Sequence, residues 1–202
     1  MLIVISAPSG TGKSTLCNKL RKLLPGIKIA VSYTTRPPRR GEKNSKDYFF
    51  VTQDEFVKKL NKNEFLEWAT VYGYNYATPR EFVEENLAQG KDVVLEIDVQ
   101  GAMKIREIYP DGLLIFVAPP SFIILKKRLR ARQKDSPEQI KKRLEQARKE
   151  ISCIKKYDYL VINDKLEKAI KDLVTIISAE KLKISRLKKE KKEKKLLKNI
   201  KL

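Results

Sequence analysis

Four short segments of the chain are almost continuously apolar, and a stretch with the apolar spacing of a helix follows each of them. A strand that helices cover on both faces has this unbroken apolar character, whereas a strand with one wet face alternates. The predicted strands are residues 2–5, 93–97, 113–117 and 159–162, and the predicted helices are 13–24, 99–108, 121–131 and 165–184. Strands and helices that alternate in this way predict an α/β fold, with a parallel sheet between two layers of helices.

Two regions interrupt this alternation. Residues 32–82 are rich in Arg, Tyr and Thr and contain a β-like stretch at 47–51, so we expect an inserted subdomain there. Residues 121–155 carry many Arg and Lys around a break at 133–136, which predicts a basic helical lid. The remaining segments form the predicted core domain, 1–31, 83–120 and 156–186, and a basic tail, 187–202.

Capping residues mark several predicted helix starts. Ser136 precedes Pro137 and stands three positions before Gln139, which is the pattern of a capped helix with proline in its first turn. Two further capping boxes are predicted, at Thr52 with Glu55 and at Thr78 with Glu81.

Composition excludes several kinds of chemistry. The chain has 202 residues and no histidine, so His-based metal sites, Ser-His-Asp triads and imidazole bases are excluded. Its two cysteines, Cys17 and Cys153, are too few for a disulfide scaffold and are typical of reduced thiols in the cytoplasm. No apolar stretch approaches the ~20 residues that span a bilayer. We therefore expect a cytoplasmic protein with no membrane partner.

Positive charge is concentrated at the end of the chain. The formal net charge is +19, and residues 181–202 hold eleven Lys or Arg and two Glu. Such a tail is most often a solvated helix end, and it also favours weak, non-specific contact with nucleic acid or acidic surfaces. No specific nucleic-acid site is predicted. A pocket for anionic substrates would account for part of the charge that remains.

A phosphate-binding loop follows the first predicted strand. Two glycines, Gly10 and Gly12, let the backbone curl so that its N–H groups point at a phosphate. Lys13 then reaches the β- and γ-phosphates, and the Ser14 hydroxyl offers a ligand to Mg²⁺ at the start of a helix. The residues predicted to bind a nucleoside triphosphate, which is ATP if the resemblance described below holds, are Ala7, Pro8, Ser9, Gly10, Thr11, Gly12, Lys13, Ser14 and Thr15.

A second anion site is predicted in the proline-rich loop that follows residue 32. Prolines stiffen this loop, so its arginines are held with little loss of entropy. Arg36 and Arg39 have the chemistry to clamp one phosphate group, and Tyr48 adds a phenol donor. A site distinct from the phosphate loop indicates a second phosphorylated ligand.

Two carboxylates are candidates for reading a base. Glu67 lies beside the single tryptophan, and Asp98 follows the second predicted strand. A carboxylate only accepts hydrogen bonds, so this pair would favour guanine, with its N1–H and amino donors, over adenine. Asp98 also stands where a Walker B aspartate would, and the alternative is that it belongs to the Mg²⁺ shell.

These motifs together resemble the guanylate kinase family, nucleoside monophosphate kinases that make GDP from GMP and ATP. The matching segments run in family order from residue 3 to about 185, and the most specific are TTRPPR and EIDVQGA. The chain departs from the family in having Ala7 and Ala77 where glycine is usual, and Gln133 after the lid arginine.

The resemblance implies a role for individual residues. Lys13, Arg39, Arg132 and Arg143 would be catalytic, with Mg²⁺ as cofactor. Arg128 and Asn163 would join the ATP site. The GMP site would consist of Ser32, Arg36, Arg39, Tyr48, Glu67, Tyr76, Thr78 and Asp98.

Three other functions compete with this interpretation. A kinase for another monophosphate such as AMP conflicts with the carboxylate pair. A guanylate-kinase-like binding module without catalysis conflicts with the intact phosphate loop. Nucleic-acid binding through the tail remains as a second property. The sequence leaves open whether dGMP serves as well as GMP.

Overall fold

The fold is known from a computed structural model, which describes residues 1–131 and 136–187 and the side chains up to residue 186. Five strands form its main sheet: β1 (Leu2–Ser6), β2 (Ile27–Ile29), β7 (Asp92–Glu96), β8 (Leu113–Ala118) and β9 (Tyr159–Ile162). They are parallel and lie in the order β2-β7-β1-β8-β9. The four predicted strands are confirmed, and the three-residue β2 at the sheet edge was missed because so short a segment carries no periodic signal.

Helices cover both faces of this sheet, as predicted. The α-helices of the described residues, including α2 of the insertion, are α1 (Lys13–Leu23), α2 (Gln53–Asn61), α3 (Arg80–Ala88), α4 (Val99–Ile108), α5 (Phe122–Ala131), α6 (Pro137–Ser152), α7 (Leu166–Lys181) and α8 (Ile184–Leu187). The helix expected to run from 165 to 184 ends at Lys181, and a separate short helix follows.

Alternate residues of each central strand face opposite layers, and both layers are apolar. In β1, Ile3 and Ile5 pack among α1 and α7, whereas Leu2 and Val4 pack among residues of α3 and α4. All four side chains are buried. Coverage on both faces explains the unbroken apolar runs, and it holds the carboxyl ends of β1 and β7 in place for the loops that follow them.

The predicted insertion forms a second sheet of four strands in the order β4-β3-β6-β5. Its strands are β3 (Tyr33–Thr34), β4 (Phe49–Phe50), β5 (Phe65–Val71) and β6 (Tyr74–Pro79). The β-like stretch at 47–51 contains only the two strand residues of β4. The long hairpin of β5 and β6, with α2 and α3 on either side of it in sequence, was not predicted.

Two of the three predicted capping boxes are confirmed. The side chains of Thr52 and Ser136 each accept a hydrogen bond from the backbone N–H three residues later. The backbone N–H of each cap residue donates in turn to the side chain of that later residue, Glu55 or Gln139. The prediction at Thr78 is wrong, because α3 begins after Pro79 with no side-chain cap. The Thr78 hydroxyl donates to Glu67 Oε1 at 2.6 Å instead.

The two basic helices of the predicted lid, α5 and α6, pack against each other through a small apolar cluster that includes Leu125, Leu129 and Ile140. Residues 132–135, where the sequence predicted most of the break, lie outside the described residues, as does most of the predicted tail. Within residues 1–131 and 136–187, no helix combines the length and apolar character that crossing a bilayer requires. Cys17 and Cys153 are free thiols.

Candidate active site

The phosphate loop connects β1 to α1 in the predicted way. Gly10 and Gly12 have φ values of 94° and 97°, a region that side chains with a Cβ rarely adopt. Space also excludes a larger residue, since a Cβ at Gly12 would lie 2.8 Å from Asn163 Nδ2. The loop thereby exposes its backbone to the cavity just before the start of α1, where the helix dipole favours an anion.

Lys13 and Ser14 extend from this loop to the end of β7. Lys13 Nζ donates to the Ile97 carbonyl at 2.8 Å. Ser14 Oγ donates to Glu96 Oε1 at 2.5 Å, which brings a hydroxyl and a carboxylate oxygen together at the base of the loop. Sequence reasoning missed Glu96. Glu96 is the last residue of β7, which lies beside β1. At the end of this strand, the sequence indicated only Asp98 as a residue of the Mg²⁺ shell.

The acceptor side is built by the inserted subdomain. Ser32, Arg39, Tyr48 and Tyr76 line the same cavity as the phosphate loop. Tyr48 packs edge-on against Tyr76, with ring centres 5.9 Å apart. Burial raises the pKa of the Tyr48 phenol, so this group remains a neutral hydrogen-bond donor.

Arg36 is placed differently from Arg39. The residue is buried. Its guanidinium donates through Nη2 to both carboxylate oxygens of Glu42 at 2.9 Å and through Nη1 to the Pro37 carbonyl. Arg36 is not among the residues that line the cavity, whereas Arg39 is. Of the two arginines predicted to clamp a phosphate, Arg39 therefore lines the cavity, whereas Arg36 is paired with Glu42.

Glu67 lines the same cavity as Lys13. It is 6% exposed, and its side-chain oxygen Oε1 accepts a hydrogen bond from the Thr78 hydroxyl. Burial raises the pKa of its carboxyl to about 7, the neighbouring Asp98 adds to the rise, and the Thr78 hydroxyl opposes it. A buried carboxylate with an open oxygen is suited to accept hydrogen bonds from a ligand.

Gly101 makes the approach of Glu67 possible. A Cβ at Gly101 would lie 2.5 Å from Glu67 Oε2 and 3.4 Å from Asp98 Oδ1. The two carboxylates therefore converge on the first turn of α4. Gly101 appeared in a recognised motif, but its role depends on a contact between distant parts of the chain, which no local pattern reveals.

Asp98 has a structural task of its own. It caps α4, accepting the Gly101 N–H through Oδ1 at 3.0 Å and the Gln100 amide through Oδ2 at 3.1 Å. Its carboxylate still lines the cavity. The residue that contacts the Ser14 hydroxyl is Glu96, so the geometry groups Asp98 with Glu67 rather than with Ser14.

Helix α6 closes the cavity on the remaining side. Arg143 Nη1 donates to Ser9 Oγ of the phosphate loop at 2.6 Å. About two turns further along the same face of α6, Glu150 also lines the cavity. It is 5% exposed, and burial raises its pKa to about 7. Glu150 was not singled out from the sequence, where it looks like any charge on a basic helix. Arg132 lies outside the described residues.

Asn163 contacts the phosphate loop directly, and Arg128 contacts Asn163. Asn163 is buried and its Nδ2 donates to the Thr11 carbonyl at 2.7 Å. Arg128 donates to the carbonyls of Asn163 and Asp164 at 2.8 and 3.2 Å. Neither side chain lines the cavity, so their predicted contact with ATP stays a prediction.

One cavity of about 230 Å³ joins these parts, and both the phosphate loop and the carboxylate pair line it. A phosphate loop on a parallel sheet, facing a second anion site across a shared cavity, defines a P-loop phosphotransferase with a separate acceptor site. The family model described as guanylate kinase matches residues 1–180. The chain belongs to the guanylate kinase family.

Individual relatives agree with this family. A guanylate kinase of Caldanaerobacter subterraneus subsp. tengcongensis is 47% identical over 92% of this chain and 90% of its own length. A guanylate kinase of Carboxydothermus hydrogenoformans is 47% identical over 93% and 92%. The crystal structure of guanylate kinase from Anaplasma phagocytophilum superposes with a TM-score of 0.77 at 37% identity, covering 92% of this chain and 88% of that one.

Proposed function

We propose that this chain transfers the γ-phosphoryl group of ATP to GMP, giving ADP and GDP, and that each end of the cavity binds one nucleotide. The observation that carries the proposal is the single cavity that Lys13 and the buried Glu67 share. The phosphate loop binds ATP, and the inserted subdomain binds GMP. The γ-phosphate of ATP and the phosphate group of GMP then lie next to each other in the cavity.

Guanine is selected by the carboxylate pair. Glu67 and Asp98 accept hydrogen bonds from the ring N1–H and the amino group, and adenine offers a ring acceptor where N1–H would be. A buried carboxylate left without a donor is costly, which makes the rejection of AMP strong. Thr78 orients Glu67 by donating to Oε1, so that Oε2 remains for the base.

The GMP phosphate is bound by Ser32, Arg39, Tyr48 and Tyr76, all of which line the cavity. Arg36 joins them once its guanidinium exchanges Glu42 for the phosphate. The two Glu42 oxygens accept from Arg36 Nη2 as two oxygens of a phosphate group could. Glu42 would thus keep the buried guanidinium paired until GMP arrives.

Chemistry at the reacting centre needs charge stabilisation more than acid–base catalysis. The GMP phosphate oxygen is already an anion and attacks the γ-phosphorus without a base. Lys13 and the lid arginines Arg132 and Arg143 neutralise the charge that spreads over the transferred group. Closure of the lid and of the insertion excludes water, which would otherwise hydrolyse ATP.

The residues at the base of the loop suit Mg²⁺. Mg²⁺ favours hard oxygen donors and commonly takes one or two protein groups together with substrate phosphates. Ser14 Oγ and Glu96 Oε1, in contact at 2.5 Å, provide such donors beside the loop. Ser14 and Glu96 would hold the ion, and it would reduce the negative charge of the ATP phosphates when bound with them. Asp98 serves guanine instead of the metal.

The function is tested by measuring ADP formation with GMP, dGMP, AMP, UMP, CMP or no acceptor. We expect rapid turnover with GMP and none above background with AMP, UMP or CMP. Comparable turnover with AMP would refute the role of Glu67 and Asp98. ADP formation that is independent of any acceptor would refute the transfer itself. Because the free thiols Cys17 and Cys153 suit a reducing compartment, we assign the reaction to the cytoplasm.

A further inference from the structure

Arg143 contacts two parts of the molecule at once. Its Nη1 donates to Ser9 Oγ of the phosphate loop at 2.6 Å, and its guanidinium carbon lies 5.1 Å from the ring centre of Tyr72. A guanidinium at this distance from an aromatic face is attracted by the quadrupole of the ring. The ring of Tyr72 and the hydroxyl of Ser9 therefore hold the same cation, one from the inserted subdomain and one from the core.

The backbone places Tyr72 there at a cost. Val71 of β5 pairs with Tyr74 of β6, so Tyr72 and Gly73 form a two-residue hairpin turn. Their φ values are 52° and 81°. Two positive φ values are typical of a type I′ turn, which favours Asn-Gly, and a bulky aromatic residue at the first position is strained. The stability of the hairpin does not explain the presence of tyrosine.

Tyr72 also faces the reaction site. It lines the cavity at the tip of the hairpin although 44% of the residue is exposed. The strands of this hairpin carry Glu67 on β5 and Tyr76 and Thr78 on β6. Because the paired strands form one unit, the position of Tyr72 is fixed to the groups assigned to the acceptor nucleotide.

We propose that Tyr72 is a positioning residue for Arg143. Its ring orients the guanidinium beside the phosphate loop and ties that orientation to the hairpin that binds the acceptor. Arg143 then stands ready to neutralise the transferred phosphoryl group when both nucleotides are present, and Tyr72 acts on the reaction through Arg143. This role rests on the proposed function. It accounts for both the strained turn and the contact with Arg143.

The test compares Tyr72→Asn with Tyr72→Phe. Asparagine suits the turn and removes the ring, so we expect an equal or higher melting temperature together with a kcat lowered by about tenfold, and little change in either KM. Phenylalanine keeps the ring and should keep kcat. The matched control is Tyr74→Asn, because Tyr74 is 39% exposed on the same hairpin and does not line the cavity. Its kcat should stay near that of the wild type.

A cycle with Arg143→Ala completes the test. If Tyr72 acts through Arg143, the double variant Tyr72→Asn, Arg143→Ala has the same kcat as Arg143→Ala alone. Wild-type kcat in Tyr72→Asn, an equal loss in Tyr72→Phe, or additive losses in the double variant would each overturn the proposal.

A second readout separates this proposal from the proposed function. The wild type, Tyr72→Asn, Arg143→Ala and the double variant are unfolded in urea without nucleotides. The coupling between Tyr72 and Arg143 is calculated from their free energies of unfolding. If the wild type fails to phosphorylate GMP, the proposed function fails. Non-additive unfolding free energies would then still support the pairing of Tyr72 with Arg143, and additive ones would overturn it.

Discussion

The carboxylate of Glu67 packs directly against Gly101, and a Cβ at Gly101 would lie only 2.5 Å from Glu67 Oε2. Glu67 belongs to the hairpin of the insertion, and Gly101 belongs to the first turn of α4 in the core. The absence of a side chain at one position thus allows the other to reach the base-binding end of the cavity. This contact connects the inserted subdomain to the core where the acceptor nucleotide is selected.

Replacing Gly101 tests this contact. In Gly101→Ala the added methyl group pushes the Glu67 carboxylate away, which weakens a hydrogen bond to a charged group worth about 1.5–3 kcal/mol. We expect the KM for GMP to rise by about 10- to 100-fold and the KM for ATP to change little. Gly26→Ala is the matched control, because nothing lies within 4 Å of a Cβ there. An unchanged KM for GMP would show that Glu67 does not need this space.

The raised pKa of Glu67, about 7, predicts that GMP binding weakens in acid. Guanine donors need the ionised carboxylate, so at pH 6 the competent fraction falls and the apparent KM for GMP rises by about tenfold relative to pH 8. GMP itself also gains a proton on its phosphate in this range. Glu67→Gln separates the two effects, because it retains only the contribution of the phosphate. Identical pH profiles in the two proteins would contradict the assignment.

The same pKa predicts how stability depends on pH. The folded protein binds a proton on Glu67 more tightly than the unfolded chain does, since the pKa of about 7 exceeds the ordinary 4.5. The resulting stabilisation is complete below pH 4.5 and is lost as the pH rises through 7. Its size is on the order of 3 kcal/mol. Urea unfolding without nucleotides should therefore find Glu67→Gln more stable than the wild type at pH 8. That advantage should vanish near pH 5, and its persistence there would refute the explanation.

Arg39 provides a test of the acceptor phosphate site. Arg39→Ala should lower kcat/KM for GMP by about two to three orders of magnitude, since a charged donor to the phosphate is lost. Arg40→Ala is the control, because Arg40 is the exposed neighbour and does not line the cavity. Melting temperatures of both variants should match that of the wild type. Equal losses of kcat/KM in the two variants would mean that Arg39 contributes only general positive charge.

The central strands and the phosphate loop could be predicted from the sequence because their signals are local. An unbroken apolar run and two glycines before a lysine and a serine are read over a few residues. The contacts that complete the site are not local: Ser14 meets Glu96, Glu67 meets Gly101, and Arg143 meets Tyr72. The Thr78 hydroxyl had two possible partners, a helix end and a carboxylate. Only the folded chain brings the carboxylate within reach.

The transfer of the γ-phosphoryl group to GMP is the central claim, and a single-turnover experiment tests it most directly. Enzyme in excess over γ-labelled ATP is mixed with Mg²⁺ and GMP, and the labelled products are separated over time. The account predicts that the label appears in GDP, and that Lys13→Ala slows this transfer by orders of magnitude while its melting temperature stays unchanged. Label that appears in inorganic phosphate or stays in ATP while GMP is present would contradict it.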